Sequence, residues 1–346
     1  MPLNPLLGTE WPLIQAPMAG TQGSALAVAV SQAGALGSLP CAMLSLEAMR
    51  QAFESIRAQT DKPFNANFFC HAPPTPDAAR SAAWTARLAP YYAEWGIDPA
   101  TLAPAPERLP FDRAMAELVC AFRPEVVSFH FGLPASELLA LVKGSGAKVL
   151  SSATTLDEAL WLEAQGVDAI IAQGLEAGGH RGMFLSEDTS TQVGTFALLP
   201  QIVAAVRVPV IAAGGIADAR GVRAAMALGA AAVQVGTAFL LCPEASTSAL
   251  HRQALQSPAA RTTALTNVFT GRPARGMVNR FMRELGPLHP QVPQFPLAAA
   301  ACLPLRQQAE QAGSSDFSPL WAGQNTSGCK AVAAATLVQE LSAGFR

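Results

Sequence analysis

Short apolar runs rich in β-branched residues alternate along the chain with alanine-rich segments of helical composition. This alternation is typical of βαβ units that build a parallel sheet. Eight runs have the length of buried strands, and they lie at residues 13–17, 35–39, 64–68, 125–129, 147–151, 168–172, 208–212 and 232–236. Eight such units favour a closed α/β barrel of the TIM (β/α)8 type over an open doubly wound sheet.

Helices are predicted in most of the gaps between these strands. The helical segments lie at residues 24–33, 46–58, 111–122, 134–143, 155–164, 196–206 and 219–228. The tail at residues 328–341 also has a helical composition, and it would supply the last helix of the barrel.

Two segments interrupt the βα rhythm. Residues 71–110 hold eight prolines and both tyrosines of the chain, which predicts an irregular or partly helical excursion. Residues 243–320 form a longer excursion, with helical stretches near 245–256 and 297–312. We expect this second excursion to be a smaller, mostly helical inserted domain.

The expected domain organisation follows from these interruptions. Residues 1–242 would form a cofactor-binding barrel that carries the excursion at 71–110. Residues 243–320 would form a small cap that sets substrate choice, and residues 321–346 would return to the barrel.

Composition excludes several classes of function. Half of the residues are hydrophobic and 14% are charged, which excludes a disordered chain and a coiled coil. Lys and Arg number 23 against 25 acidic residues, so no basic surface is expected for a nucleic acid or an anionic membrane. Six cysteines include no C-x-x-C pair, and we expect no metal site. The first positive charge is Arg50, so no secretory signal and a cytoplasmic location are expected.

Glycine-containing loops follow the last two predicted strands. Barrel enzymes carry their sites on the loops after the strands, and phosphate often binds after strands seven and eight. Gly214 and Gly215 follow strand seven, and Gly236 and Thr237 follow strand eight. Because glycine lets backbone N–H groups approach an anion closely, these loops predict a phosphate site; tight turns in a crowded barrel are the alternative.

Strand six ends in the loop QGLEAGGHRG, which starts at residue 173. Gly178 and Gly179 could present N–H groups to an anion or to an electron-rich ring edge. Gln173 either hydrogen-bonds the ring of a cofactor or faces water inside the barrel. His180 either contacts a ligand or is a surface residue that caps the loop. The usual dinucleotide, P-loop, zincin and serine-hydrolase motifs do not occur, so a mononucleotide cofactor is favoured.

Strand four ends in VSFHFGLP, which places His130 between two phenylalanines. An imidazole at the carboxyl end of a barrel strand is either a titrating catalytic group or a hydrogen-bonded core residue. Strand one ends in Ala16, Pro17 and Met18, which could pack against a flat ring, or fill the core. Asn67, at the end of strand three, could donate a hydrogen bond to the same cofactor.

Taken together, these motifs resemble the nitronate monooxygenases, formerly called 2-nitropropane dioxygenases. The motifs are QAPMAG at 15, NANFFCH at 65, VSFHFGLP at 127, QGLEAGGHRG at 173, PVIAAGGIADARG at 209 and QVGTAF at 234, in the order found in the family. TGRPARGMVNRFMREL at 270 and SPLWAGQN at 318 resemble its C-terminal segments. The resemblance implies an FMN-dependent TIM barrel that oxidises alkyl nitronates, such as propionate 3-nitronate, with molecular oxygen to carbonyl compounds plus nitrite or nitrate.

The resemblance also implies the roles of individual residues. His130 would be the active-site histidine. The residues expected around FMN are Ala16, Pro17, Met18, Asn67, Gln173, Gly178, Gly179, Gly214, Gly215, Gln234, Val235, Gly236 and Thr237. His180, Arg272, Arg275, Trp321 and Gln324 are candidates for contacts with substrate. The alternative for the two arginines is that they belong to a solvated face or to an interdomain ion-paired face. A homo-oligomer is also compatible with the sequence.

Three other functions share part of this pattern. FMN-dependent enoyl-acyl-carrier-protein reductases have similar APMAG, EAGGH and glycine-loop elements, but a glycine-rich loop replaces FHFG after their fourth strand. The aromatic pair around His130 therefore favours the monooxygenase. An NAD(P)H:quinone reductase on the same fold and a noncatalytic flavin-binding protein are the remaining alternatives, and the second of these needs no histidine over the ring.

Overall fold

Eight parallel β-strands form the wall of a barrel, and they follow the order of the eight apolar runs. The computed structural model describes residues 4–101 and 108–346. Its strands are β1 (Leu13–Gln15), β2 (Gly37–Pro40), β3 (Phe64–Phe69), β4 (Val126–His130), β5 (Lys148–Ala153), β6 (Ala169–Gln173), β7 (Gly179–His180), β8 (Val210–Ala213), β9 (Ala232–Val235), β10 (Thr263–Thr266) and β11 (Ala274–Met277). All except β7, β10 and β11 belong to the barrel. The predicted TIM barrel is confirmed.

The strands pair in the order β1-β9-β8-β6-β5-β4-β3-β2, and the two ends of this sheet meet. A parallel bridge joins Ile14 of β1 to Leu36, just before β2. The Leu36 N–H donates to the Leu13 carbonyl at 2.8 Å, and the Gln15 N–H donates to the Leu36 carbonyl at 2.9 Å. Because both strand faces are covered, the strands consist almost entirely of buried residues, as expected for a parallel barrel.

Helices alternate with the strands, and most of them cover the outside of the barrel. The helices are α1 (Ser24–Gln32), α2 (Leu46–Gln59), α3 (Ala78–Glu94), α4 (Arg113–Phe122), α5 (Ser136–Gly144), α6 (Leu156–Ala164), α7 (Thr195–Ala205), α8 (Ala219–Ala227), α9 (Ala249–Leu255), α10 (Arg280–Leu285), α11 (Ala299–Gln311) and α12 (Ala334–Ser342). Of these, α3, α10 and α11 lie in the excursions. Side-chain caps set several starts, since Ser45, Asp112 and Thr155 each accept a hydrogen bond from a first-turn N–H. α12 packs against α1 and α8, which places the predicted last helix on the barrel.

A small antiparallel sheet lies beside the barrel mouth, and the sequence did not predict it. Its strand order is β10-β11-β7, and Ala274 of β11 pairs with His180 of β7. The sequence predicts a mostly helical segment here, because TALT and ARGM are short and lack a clear alternation of apolar and polar residues. This sheet attaches the segment after residue 243 to the loop that follows β6.

The two excursions pack together in a second apolar cluster, separate from the barrel core. Trp84 and Tyr92 of α3 are buried there with Phe281 and Leu305. The hydroxyl of Tyr92 donates to the Ala301 carbonyl at 2.7 Å. The excursion at 71–110 is thus partly helical and packs against the segment at 243–320; its residues 102–107 lie outside the described part of the chain. None of the helices in the described ranges is long and apolar enough to cross a membrane.

The close approach of β2 to α1 gives a stability prediction. A Cβ at Gly37 would lie 2.0 Å from the backbone oxygen of Ala27, a contact that only a shift of backbone can relieve. We expect Gly37→Ala to lower the free energy of unfolding by about 3 kcal/mol or more, as in severe overpacking. Denaturant unfolding measures this change.

The matched control is Gly144→Ala in α5, where nothing lies within 4 Å of the added methyl. This variant should be neutral, or more stable by up to about 1 kcal/mol, because alanine favours a helix. Equal stability of the two variants would contradict the packing of β2 on α1.

Candidate active site

A cavity of about 270 Å³ opens at the carboxyl ends of the barrel strands. This is the end of a TIM barrel where active sites are built. The predicted site residues that line it are Ala16, Pro17, Met18, Asn67, His130, Gln173, Gly178, Gly179, His180, Gly214, Gly215, Gln234, Gly236, Thr237 and Trp321. The barrel therefore brings together side chains that lie as much as 305 residues apart in the chain, from Ala16 to Trp321.

Four of the predicted residues lie outside the cavity lining. Val235 is buried in the wall, because it follows the inward-facing Gln234 by one residue. The Nε of Arg275 donates to the Leu175 carbonyl at 2.8 Å. Arg272 lies over the ring of Phe131, 4.1 Å from its centroid, and donates to a backbone carbonyl.

The fourth is Gln324. Its backbone N–H donates to the Glu176 carbonyl at 2.9 Å, and the residue is exposed. Neither this glutamine nor the two arginines contributes to the cavity wall.

His130 is held at both ring nitrogens. Its Nε2 lies 3.1 Å from the backbone carbonyl of His180, and its Nδ1 lies 3.1 Å from the hydroxyl of Ser152. Since a carbonyl only accepts hydrogen bonds, Nε2 carries the proton and Nδ1 accepts from Ser152. The hydrogen bonds therefore fix both the tautomer and the orientation of this imidazole.

His180 is held at one ring nitrogen only. Its Nε2 lies 2.9 Å from the hydroxyl of Thr270, which in turn donates to the Arg272 carbonyl at 3.4 Å. We assign the tautomer in which Nε2 carries the proton and donates to Thr270, whose own proton is directed to that carbonyl. Nδ1 then keeps its lone pair, and no side chain or backbone group of the described residues hydrogen-bonds to it.

Aromatic rings surround the His180 imidazole. The rings of Phe69, Phe131, Phe295 and Trp321 have centroids 5.4 to 6.3 Å from the imidazole centroid. These rings make the surroundings of the free Nδ1 largely apolar, so electrostatic interactions there are stronger than in bulk water.

Both imidazoles are neutral at pH 7. Burial is the main cause, and it lowers the pKa of His130 to about 4, although the His180 carbonyl partly opposes the shift. Burial also lowers the pKa of His180 well below its usual range, with further lowering by the positive charges of Arg108 and Arg272. Both pKa values therefore lie below the ~6.5 of an unperturbed imidazole.

Gln173 ties the same loop to the barrel. Its side-chain nitrogen donates to the His180 carbonyl at 3.0 Å, and its side-chain oxygen accepts from the Gly182 N–H at 2.8 Å. The fully buried guanidinium of Arg181 donates to the carbonyls of Gln173 and Gly174 at 2.6 and 2.7 Å. These bonds hold the loop after β6 in one conformation.

The glycine loops present free donors to the cavity. Gly214 and Gly215 have φ angles of 116° and 73°, which favour glycine. Within the described ranges, the backbone N–H groups of Gly214, Gly215 and Gly236 have no hydrogen-bond acceptor. The buried side-chain oxygen of Gln234 also lacks a partner in that part of the chain. Unpaired buried groups of this kind are suited to a polar ligand.

Packing also requires a glycine at position 178. A Cβ at this position would lie 2.5 Å from the Gly323 nitrogen, because the segment before Gln324 crosses the loop here. The glycine is thus required by the approach of two backbone segments, whatever contact it makes with a ligand.

Sequence reasoning missed several residues of the cavity. Ser152 is the last residue but one of β5, so its position near a strand end was a usable signal. Arg108 and Arg306 come from the two excursions, and no local pattern indicated that these segments meet. Glu310 and Ser318 line the same region and were also missed.

Comparisons with known proteins agree with this geometry. The chain matches the nitronate monooxygenase family model over residues 1–344. It is 45% identical to a nitronate monooxygenase of Pseudomonas aeruginosa over 97% of each chain. A nitronate monooxygenase of Paraburkholderia phytofirmans is also 45% identical, over 98% of this chain and 93% of the relative. A solved structure of a nitroalkane oxidase from Streptomyces ansochromogenes has a TM-score of 0.89 and 38% identity, and the match covers 97% of this chain and 96% of that one.

The match is a property of the whole chain and is not confined to the glycine loops, which other flavin-binding barrels share. The resemblance expected from the sequence motifs is confirmed. This chain belongs to the nitronate monooxygenase family, a family of flavin-dependent oxidoreductases.

Proposed function

We propose that this chain oxidises alkyl nitronates with molecular oxygen to carbonyl compounds plus nitrite or nitrate. The curated relatives named nitronate monooxygenases support this activity over the reductase and carrier alternatives. The observation that carries the proposal is the cavity at the carboxyl ends of the barrel strands, where the free N–H groups of Gly214, Gly215 and Gly236 lie in the same wall as the neutral imidazole of His180. A noncatalytic flavin carrier would not need such a group.

FMN is the proposed flavin. The free N–H groups of Gly214, Gly215 and Gly236 would hold its phosphate, since they converge at the ends of β8 and β9. Thr237, Gly178 and Gly179 lie beside them in the cavity wall. The residues proposed to surround the flavin ring are Ala16, Pro17, Met18, Asn67, Gln173 and Gln234. The unpartnered oxygen of Gln234 fits a ring N–H as its donor.

When bound, the flavin accepts electrons from the substrate and passes them to oxygen. The protein supplies binding, orientation and charge. A nitronate already carries the electron pair that a carbanion would have, so its oxidation needs no proton abstraction from carbon. The positive charges of Arg108 and Arg272 both contribute to lowering the pKa of His180, and they would stabilise the bound anion.

A neutral nitroalkane would first have to lose its α-proton. The Nδ1 of His180 is the base that the hydrogen bonds leave free, and its low pKa keeps it unprotonated at pH 7. His130 was the residue expected to be catalytic. Since both of its nitrogens are engaged by Ser152 and the His180 carbonyl, we propose that it positions His180 and the loop around it.

We also propose that the segment at 243–320, together with α3, covers the cavity and sets substrate choice. The small sheet β10-β11-β7 attaches this segment directly to His180. Trp321 and Phe295 would then close the space above the proposed flavin ring, and water would be excluded when substrate is bound.

The phosphate assignment predicts a loss of flavin in one variant. In Gly215→Val, a side chain would be forced into a backbone conformation with a φ of 73°, beside the free N–H groups. We expect the purified variant to hold less than about a tenth of the FMN of the parent protein. Mass analysis of the heat-released chromophore gives its identity and its occupancy.

The matched control is Gly286→Val, which places valine at a φ of 79° with nothing within 4 Å of its Cβ. This variant carries a similar backbone strain away from the cavity, so its FMN content should remain that of the parent. Full occupancy in Gly215→Val, or release of FAD in place of FMN, would contradict the assignment.

The proposed activity and the roles of the two histidines are tested together by oxygen consumption. The parent protein should consume oxygen with ethyl nitronate and should not couple NADH oxidation to enoyl or quinone reduction. His180→Asn should lower turnover of neutral nitroethane by about 10²–10⁴-fold, the usual contribution of a general base. It should lower turnover of ethyl nitronate much less, because the nitronate needs no base.

His130→Asn separates positioning from proton transfer. It should lower turnover of both substrates by similar factors, since it disturbs the His180 carbonyl and the loop without removing the base. Equal losses on both substrates in His180→Asn would contradict its role as a base. Enoyl or quinone reduction without oxygen-dependent nitronate oxidation would overturn the proposed function itself.

A further inference from the structure

A group of buried polar side chains lies beside the loop that carries His180, outside the cavity. Its members are Thr154, Glu158, Arg181 and Gln192, and none of them is more than 8% exposed. They do not line the cavity, so they are not placed to contact a ligand bound in it. Any effect of these side chains on the reaction must therefore pass through the residues that they hold.

Glu158 is the acceptor that joins this group together. One oxygen of its carboxylate accepts from the backbone N–H and the hydroxyl of Thr154 at 2.6 and 2.7 Å. The other oxygen accepts from the N–H groups of Phe184 and Leu185 at 2.6 and 3.3 Å. The carboxylate, which lies in the first turn of α6, thus ties the end of β5 to the segment that follows Gly182. A carboxylate suits this place because its oxygens only accept hydrogen bonds and all of their partners here are donors.

A second chain of hydrogen bonds completes the group. The Nε of Arg181 donates to the side-chain oxygen of Gln192 at 2.8 Å, and the side-chain nitrogen of Gln192 donates to the Thr154 hydroxyl at 3.0 Å. Burial lowers the pKa of Arg181 to about 9, and the charge of Glu158 opposes this shift. Because a buried charge is costly unless it is hydrogen-bonded and balanced, the carboxylate and the guanidinium stabilise each other.

The two segments that Glu158 joins also hold the two hydrogen-bond partners of His130. Ser152, whose hydroxyl donates to Nδ1, lies near the end of β5, and His180, whose carbonyl accepts from Nε2, lies two residues before Gly182. A Cβ at Gly182 would lie 2.9 Å from the His130 ring and 3.0 Å from the Cβ of Ser152, so the backbone there packs against both. The approach of the two segments therefore sets the space that the imidazole occupies.

We propose that Glu158 is a positioning residue, whose carboxylate fixes the distance between the end of β5 and the His180 loop and so holds His130 in one tautomer and His180 in place. This inference rests on the proposed function, because it adds a residue to the same site. Without the carboxylate, buried backbone N–H groups would lose their acceptor, and the two segments would shift to satisfy them.

The first test is Glu158→Gln, which keeps the size of the side chain and replaces one acceptor oxygen with an NH2 donor. In 15N NMR of the histidine-labelled protein at pH 7, the His130 signals should move toward the average of the two neutral tautomers. We expect kcat for ethyl nitronate and for nitroethane to fall by about 10–100-fold, with KM changed less than about threefold, because the reacting groups are displaced. A merely structural residue would lower stability and leave the tautomer unchanged.

Glu163→Gln is the matched control. Glu163 also lies on α6, and its carboxylate accepts from the N–H groups of Arg207 and Val208, which precede β8 at the opposite end of the barrel. The same loss of an acceptor there should leave the His130 signals and the turnover of both substrates unchanged. Equal changes in Glu158→Gln and Glu163→Gln would overturn the proposal, because they would reflect a general loss of stability.

A second pair of variants decides the question if Glu158→Gln does not fold. Thr154→Val removes the hydroxyl that links Gln192 to Glu158, and Thr154→Ser keeps it. The valine variant should move the His130 signals in the same direction as Glu158→Gln. The serine variant should give the signals of the parent protein.

The NMR measurement needs no turnover, so it separates this inference from the proposed function. Altered His130 signals in Glu158→Gln or Thr154→Val, in a protein that oxidises no nitronate, would keep the hold of Glu158 on His130 and overturn the function. Parent-like signals in a folded Glu158→Gln or Thr154→Val would overturn the positioning role, whatever the protein oxidises. Altered signals with parent-like turnover of both substrates would overturn it as well, because the reaction would not depend on the position of the imidazole.

Discussion

The backbone carbonyl of His180 is the acceptor on which the arrangement of the site depends. It accepts hydrogen bonds from Nε2 of His130 and from the side chain of Gln173. These donors end β4 and β6, so one oxygen joins two strands of the barrel to the loop that carries the second histidine. His180 also pairs with Ala274 of β11, which connects the loop to the cap segment. The position of the free imidazole is thus determined by the barrel and the cap together.

Burial determines the protonation states of the two imidazoles. Removal of the imidazoles from bulk water disfavours their charged forms, and nearby guanidinium groups disfavour them further. The consequence is a cavity in which the bases are neutral and the positive charge is carried by arginines. The buried charge of Arg181 is tolerated because the carbonyls of Gln173 and Gly174 and the Gln192 side chain accept its hydrogen bonds. An anionic substrate meets fixed positive charge, and proton transfer is left to an uncharged group.

The sequence predicted the features that depend on the local pattern of apolar and polar residues. The barrel strands are continuous apolar runs because both of their faces are buried, and their ends therefore indicated which side chains share one rim. Asn67 and Gln173 could be placed on the cavity in this way, whereas Gln234 was placed there by the family resemblance. The small sheet was missed because β11 contains Arg275 and Gly276, which do not form a strand pattern.

Long-range packing accounts for the rest of what was missed. Arg306 lines the cavity from α11, and α11 packs against α3, a contact between segments more than 200 residues apart. The different roles of the two histidines also could not be predicted, since both lie in glycine or aromatic loops after strands. They differ in their hydrogen-bond partners, which are Ser152 and a carbonyl for His130 and Thr270 for His180.

The claim that His180 is uncharged and keeps a free Nδ1, available as a base for neutral nitroalkanes, is tested most directly by 15N NMR of the histidine-labelled protein as a function of pH. At pH 7 the account predicts neutral signals from both imidazoles, with the proton on Nε2 in each, and a pKa of about 4 for His130. His180→Asn and His130→Asn assign the two signals. An imidazolium at His180 at pH 7, or a His180 proton on Nδ1, would contradict the account.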